Sequence, residues 1–149
     1  NMLEAVMQKA QKATVFIATA AVADWRPATQ SEQKIKKDGS GQTPVLGFVE
    51  NPDILATLAQ SQHALVGDLF CVGFAAESHD LLAHATAKRQ RKGVPLLVGN
   101  IGPATFGQDD NALLLVDAHG HRELPRASKR ILAQQLVAEV AQRPPALQA

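Results

Sequence analysis

The sequence predicts an α/β protein in which a mostly parallel sheet is sandwiched between two layers of helices. Two observations lead to this fold class. Short apolar runs, typical of strands buried on both faces, recur along the chain. Segments with apolar residues at helical spacing separate these runs. Strands that alternate with helices in this way favour a doubly wound sheet, because parallel neighbours need helical crossovers.

Composition limits the class of protein further. The chain has 149 residues, which suits one domain, 1–149, with its own core. Its 15 Lys and Arg against 14 Asp and Glu give a net charge of +1, so no nucleic acid partner is expected. A single cysteine permits no internal disulfide and fits a reducing cytoplasm. The longest apolar stretch, 14–23, is shorter than the roughly 20 residues that cross a bilayer, so no membrane span is expected.

The first elements follow from periodicity and turn residues. Apolar residues at 2, 3, 6 and 10 predict an opening helix, and the nearly continuous apolar run 14–23 predicts a buried strand. Residues 25–44 have no hydrophobic face at either the helical or the strand repeat, which predicts a long polar excursion or flap. A short strand is expected at 45–49. Asn51 as N-cap and Pro52 at the first helical position then predict a helix that runs to about residue 60.

The second half repeats the alternation. Strands are predicted at 69–75 and 95–98 around a helix at 78–91, followed by a hairpin of 112–116 and 122–124 and a last helix over 128–142. The whole pattern is Rossmann-like, and such sheets bind ligands beyond the carboxyl ends of their strands. Chemistry is therefore expected in the loops after Ala23, Phe74 and Val98. No G-x-G-x-x-G turn or Walker A loop is present in the sequence.

Two strand ends carry side chains suited to a nucleotide. Asp24 follows a run of small residues, so a flat ligand can approach the strand tip while the carboxylate accepts hydrogen bonds from a base or sugar. The alternative is that Asp24 only satisfies its own turn. Phe74 can stack on a ring at the rim of the site, or it can be an ordinary core aromatic.

Two basic clusters indicate an anionic ligand. The segments 34–37 and 88–92 together hold 7 of the 15 basic residues. Lys88 and Lys92 are four residues apart on the predicted helix, so they share one face and can contact one anion. The helix start at Asn51 adds free N–H groups. The alternatives are a solvated surface for the first cluster, stabilisation of the helix dipole for the second and simple capping for Asn51.

Five segments in this order resemble the bacterial, CTP-using phosphopantothenoylcysteine synthetase family. The resemblance covers nearly the whole chain, and although each motif is weak alone, five in register are specific. The segments are Ala-Ala-Val-Ala-Asp-Trp-Arg (20–26), Lys-Ile-Lys-Lys (34–37), Asn-Pro-Asp-Ile (51–54), Val-Gly-Phe-Ala-Ala-Glu (72–77) and Lys-x-x-x-Lys (88–92).

The resemblance implies a cytoplasmic ligase of coenzyme A biosynthesis. CTP, with Mg²⁺, would activate the carboxylate of 4'-phosphopantothenate as an acyl-cytidylate, which the amine of cysteine then attacks. The excursion, which includes 36–44, would be a flap that closes over the site and helps to form a homodimer. Carried over by position, the catalytic residues would be Asp24 and Lys34, and the nucleotide-binding residues would be Ala18, Thr19, Ala20, Asp24, Lys34, Asn51, Pro52, Asp53, Ile54, Phe74, Lys88 and Lys92.

The beginning of the chain departs from the family pattern. Family members begin with a strand and a Gly-rich segment that help to bind phosphopantothenate, whereas this sequence opens at Asn1-Met-Leu-Glu, where the family is already in a later helix. The resemblance thus implies a synthetase domain cut on its N-terminal side, without the FMN-dependent decarboxylase half of the bifunctional protein. Two other readings stay open: a Rossmann-type nicotinamide-dependent oxidoreductase, and a non-catalytic domain whose basic clusters bind a protein or RNA.

Overall fold

The structure is a computed structural model that describes residues 1–31, 33, 34, 36, 39, 41, 43, 45–105 and 107–143. The chain divides into two compact units, one formed by Asn1–Thr19 with Ile54–Ala149 and the other by Ala20–Asp53. Among the described residues, no helix has the length and apolar character needed to cross a membrane. Ile35 and Lys37 of the first lysine cluster and Pro44 of the predicted flap lie outside the described residues. The same holds for Phe106, Pro144 and Pro145.

Helices and strands alternate along the first unit as the sequence predicts. The helices are α1 (Met2–Ala10), α2 (Ile54–Ala59), α3 (Gln62–Leu65), α4 (Leu81–Lys92) and α5 (Lys129–Ala141). The strands of both units are β1 (Val15–Ala18), β2 (Trp25–Pro27), β3 (Phe48–Glu50), β4 (Phe70–Glu77), β5 (Leu96–Ile101), β6 (Asp110–Val116) and β7 (His121–Ser128), and a short 3-10 helix covers Gly102–Ala104.

The sheet of the first unit has the strand order β1-β4-β5-β6-β7. The strands β1, β4 and β5 are parallel to one another. The strand β6 runs antiparallel to β5 and forms the predicted hairpin with β7. A mostly parallel sheet in a Rossmann-like α/β fold is therefore confirmed. The carboxyl ends of β1, β4 and β5 meet at one edge of this sheet, which is where such folds bind ligands.

The helices cover both faces of the sheet. Residues of α1, α2 and α4 pack with one side of β4 and β5 around Leu58, Ala85 and Leu97. On the other side, α5 packs Leu132 and Leu136 against the sheet. Each layer buries apolar side chains against the central strands, so the three-layer arrangement follows from the two apolar faces of the sheet.

The second unit contains an antiparallel ribbon of β2 and β3, with Trp25 opposite Glu50 and Pro27 opposite Phe48. The sequence predicts only a polar excursion from residue 25, so β2 was missed. The predicted N-cap role of Asn51 is also wrong, because α2 begins at Ile54. The Asn51 amide instead donates to the carbonyl of Ala23 at 2.7 Å.

Candidate functional site

In the first unit, the residues with functional chemistry lie where β1 and β4 end. Ala18 is the last residue of β1 and pairs with Gly73, while β4 continues for four more residues to Glu77. Glu77 therefore lies about 13 Å further along the sheet than Ala18, at 3.3 Å per residue. Thr19, which is exposed, follows Ala18 directly, and its N–H donates to the carbonyl of Ile17 at 3.1 Å. The predicted strand over 14–23 is thus only four residues long, because the backbone turns away from β4 after Ala18.

A carboxylate at the end of β4 organises two basic side chains of α4. The ammonium of Lys88 donates to Glu77 Oε1 at 2.8 Å. The other carboxylate oxygen, Oε2, lies 3.7 Å from Nδ1 of His84. Side-chain exposure is 16% for Glu77 and 28% for Lys88, so the pair is largely shielded from water. His84 and Lys88 are four residues apart on α4 and therefore point to the same side of the helix.

Three further polar residues extend this arrangement into the turn before α4. The rings of His79 and His84 meet edge to face with centroids 5.1 Å apart. The hydroxyl of Ser78 lies 2.7 Å from Nδ1 of His79. Asp80, which precedes α4, has a left-handed backbone conformation at φ 46° and its side chain makes no capping hydrogen bond to the helix. Such a conformation is uncommon for residues other than glycine and is best tolerated by Asp and Asn.

The loop that follows β5 is fixed by one buried hydroxyl. Thr105 is 6% exposed. Its Oγ1 accepts from the Asn100 amide at 2.8 Å and lies 3.1 Å from the carbonyl of Ile101. Lys129, the first residue of α5, lies with its ammonium 3.4 Å from the Thr105 carbonyl. These contacts connect the end of β5 with the start of α5.

The remaining predicted residues of the first unit differ in their surroundings. Phe74 packs into the core on the α5 side of the sheet, which supports the core alternative for its ring. Ile54 packs against the opposite core. Lys92 is the last residue of α4, about 6 Å beyond Lys88 along the helix axis. Since α4 leads from the end of β4 to the start of β5, Lys92 lies further than Lys88 from the carboxyl edge of the sheet.

The second unit positions Asp24 and Asn51 together. The backbone N–H of Asn51 donates to the Asp24 carbonyl at 2.7 Å. The guanidinium of Arg26 donates to the Asn51 side-chain oxygen at 2.9 Å and to the Glu50 carbonyl at 3.1 Å. The side chain of Asp24 is exposed and so is available to a ligand. The other predicted residues of this unit are likewise exposed: Ala20, Lys34, Pro52 and Asp53.

The sequence patterns did not point to Glu77 and His84 as functional residues. The signal for them is a strand that ends in a carboxylate, followed by a helix with basic residues four positions apart. Within the described part of the chain, no group of three or more His, Cys, Asp or Glu side chains could hold a metal ion.

Comparisons with known proteins show to which family the chain is similar. The family model for the DNA/pantothenate metabolism flavoprotein C-terminal domain matches residues 1–143. The coenzyme A biosynthesis bifunctional protein CoaBC of Vibrio cholerae serotype O1 is 43% identical over 137 residues, which are 89% of this chain and 33% of that protein. The chain thus spans about a third of the length of the curated relatives it matches.

Solved structures show the same fold. A crystal structure of the C-terminal domain of CoaBC is similar with a TM-score of 0.68 and 29% identity, over 93% of this chain and 59% of that chain. A Cab2 variant in complex with phosphopantothenate-cysteine is similar with a TM-score of 0.60 over 84% of this chain and 43% of that chain. At 18% identity, this second likeness shows the fold alone.

Proposed function

Because the chain belongs to the family of DNA/pantothenate metabolism flavoprotein C-terminal domains, we propose that it carries most of the nucleotide site of a CTP-dependent phosphopantothenate–cysteine ligase. The observation that carries the proposal is the family match over residues 1–143. The similar protein of Vibrio cholerae is named for coenzyme A biosynthesis, which supports this substrate class.

The reaction needs two steps. The carboxylate of 4'-phosphopantothenate attacks the α-phosphorus of CTP, which forms an acyl-cytidylate and releases pyrophosphate. The amine of cysteine then attacks the acyl carbon, loses a proton and displaces CMP, which leaves an amide. Both steps gain from cations that stabilise the charge developing on the departing phosphate groups.

In the first unit, the proposed site uses the carboxyl edge of the sheet. Backbone groups at Ala18 and Thr19, where β1 ends, would contact the base or ribose. Lys88 contributes its ammonium at the end of β4. Ile54, at the start of α2, is included from the resemblance, and its side chain packs in the core. We include Lys92 and Phe74 from the resemblance, although Phe74 also has a packing role.

In the second unit, the exposed carboxylate of Asp24 and the ammonium of Lys34 are the proposed catalytic groups. The Asn51 hydrogen bond to the Asp24 main chain supports this assignment, because it fixes the backbone that carries the carboxylate. The exposed Ala20, Pro52 and Asp53 complete the proposed nucleotide contacts. Mg²⁺ would enter with the triphosphate as MgCTP, since Mg²⁺ is usually held by one or two carboxylates together with phosphate oxygens.

We also propose that the second unit mediates a homodimer. Its ribbon carries large apolar side chains that are exposed to solvent, with Trp25 and Phe48 both 58% exposed. Exposed apolar patches of this kind mark protein interfaces. Further exposed apolar residues of this unit are Val22, Val45, Leu46 and Val49.

A calorimetric titration of MgCTP into the full 149-residue chain tests the function. We expect binding with clear preference over MgATP, and a loss of about tenfold in affinity for Lys34→Gln, because a charged hydrogen bond to phosphate disappears. Lys9→Gln, an exposed lysine on α1, serves as the matched control and should bind like the unchanged chain. Steep salt dependence without preference among nucleotides would instead indicate a non-catalytic binding domain.

Sedimentation velocity tests the homodimer. We expect a dimer for the unchanged chain and a monomer for the double variant Trp25→Ser, Phe48→Ser. Val137→Ser is the control, because Val137 on α5 is exposed to a similar extent, at 59%. Equal dissociation of both variants would contradict the assignment of the interface to the ribbon.

A further inference from the structure

The ion pair between Glu77 and Lys88 has properties that a surface ion pair lacks. It joins the last residue of β4 to the middle of α4 at 2.8 Å. The pair formed by Arg126 and Asp110 is more open, with exposures of 56% and 45%, against 28% and 16% for Lys88 and Glu77. Shielding from water strengthens the attraction between the two charges, which favours this position of the Lys88 ammonium.

Glu77 has a second contact that fixes its own orientation. With Oε1 on Lys88 and Oε2 3.7 Å from the His84 ring, the carboxylate faces two side chains one helical turn apart. A rotation of the carboxylate would weaken both contacts together. The position of the Lys88 ammonium is thus determined by the end of β4 as well as by the helix that carries it.

Lysine is a flexible side chain, and holding it in place before a ligand arrives reduces the entropy lost on binding. An ammonium has three N–H donors. The Glu77 carboxylate takes one of them. Donors therefore remain for the oxygens of a phosphate at the carboxyl edge of the sheet.

We infer that Glu77 is a positioning residue, which holds the Lys88 ammonium at the end of β4 for contact with the nucleotide phosphates. The inference rests on the proposed function, since it names the phosphates of CTP as the ligand of Lys88. It assigns to Glu77 no contact with the nucleotide.

Two substitutions of Glu77 test the inference, because one removes both the acceptor oxygen and the charge and the other removes only the charge. Glu77→Ala removes both, and we expect MgCTP affinity of the full 149-residue chain to fall about fivefold. Glu77→Gln keeps an acceptor oxygen at the same place and should restore most of that affinity. If the carboxylate merely repelled the anionic nucleotide, both variants would bind MgCTP more tightly, and this result would overturn the inference.

A double-mutant cycle with Lys88 distinguishes positioning from a general structural role. Lys88→Met alone should weaken binding about tenfold, and adding Glu77→Ala should cause no further loss. An undiminished effect of Glu77→Ala in the Lys88→Met background would overturn the inference. Glu139→Ala is the matched control, because Glu139 is similarly shielded, at 18% exposure, and also pairs with a cation, Arg122 of β7. It should leave MgCTP affinity unchanged.

Nuclear magnetic resonance provides a readout that needs no nucleotide. The ¹⁵N signal of the Lys88 ammonium should be visible and protected from exchange in the unchanged chain, and it should broaden in Glu77→Ala. If the unchanged chain fails to bind MgCTP, the proposed function and this inference fall together. If it binds MgCTP while Glu77→Ala binds equally well and keeps the signal sharp, only the inference is overturned.

Discussion

The carboxylate of Asp117 accepts a hydrogen bond from the Arg143 guanidinium at 2.6 Å, which ties the turn of the β6–β7 hairpin to the residues that follow α5. Both side chains are 24% exposed. The hydrogen bond from Arg143 lowers the pKa of Asp117 below its ordinary value, against the opposing effect of burial. A second hydrogen bond, from the His119 backbone at 2.8 Å, acts in the same direction as Arg143.

This contact makes stability depend on pH. Because the pKa of Asp117 is lower in the folded protein than in the unfolded chain, its contribution is complete above the unfolded value, about 3.9, and is lost as the pH falls through the folded value. We expect Arg143→Met to reduce the free energy of unfolding by about 1 kcal/mol at pH 7 and by less at pH 2. Urea unfolding at the two pH values measures this. An equal reduction at both would show that Arg143 acts by packing alone.

Gly73 allows α2 to approach the sheet closely. A Cβ atom at this position would lie 2.8 Å from Leu55 Cδ2 and 2.9 Å from Leu97 Cδ1, so the buried leucines would have to move. We expect Gly73→Ala to lower the free energy of unfolding by about 2 kcal/mol, as overpacking of a core does. Gly47→Ala is the control, because its nearest neighbour, the Ala28 Cβ, is 3.7 Å away. Chemical denaturation compares the two variants, and equal losses would contradict the explanation.

The buried hydroxyl of Thr105 is a further test of stability. Thr105→Val keeps the shape of the side chain but leaves the Asn100 amide without its acceptor at the end of β5. Asn100 is half-buried, so we expect the loss of this partner to cost about 1 kcal/mol in thermal or urea unfolding, the low end of the range for a shielded donor. Thr86→Val is the control, since the Thr86 hydroxyl lies on the exposed side of α4. A loss for Thr86→Val as large as that for Thr105→Val would refute the role of burial.

Burial makes the only cysteine of the sequence unreactive. Cys71 lies in β4 at 1% exposure, and burial raises the pKa of its thiol to about 11. The thiolate is the reactive form, so we expect slow labelling by a thiol reagent at pH 8 in the native protein and fast labelling after unfolding in urea. Labelling rates that do not depend on urea would contradict the burial of this strand.

The elements of the central sheet could be predicted because their signal is local. The apolar segments around Cys71 and Leu97 are buried on both faces, so nearly every residue of these strands is apolar. The hairpin around Asp117 and Gly120 follows from its turn residues in the same way. The family resemblance is confirmed by the family match, which covers residues 1–143.

Features that depend on distant partners could not be predicted. The strand β2 exists because Trp25 pairs with Glu50, and no local periodicity records that pairing. Asn51 has the sequence context of a helix cap, but its side chain instead donates to the Ala23 carbonyl and accepts from Arg26. For the same reason the site prediction named Lys88 without Glu77, which lies eleven positions earlier in the chain.

The two outer strands of the five-stranded sheet differ in how they meet solvent. At one side, β7 ends the described sheet with the exposed Pro125 and Arg126, a combination that discourages further strands from pairing there. At the other side lies β1, which is wholly apolar, only half-buried and paired on one side alone among the described strands. A charged side chain beside a proline on β7 thus works against the addition of a strand, whereas the apolar segment Val15–Ala18 has neither of these features.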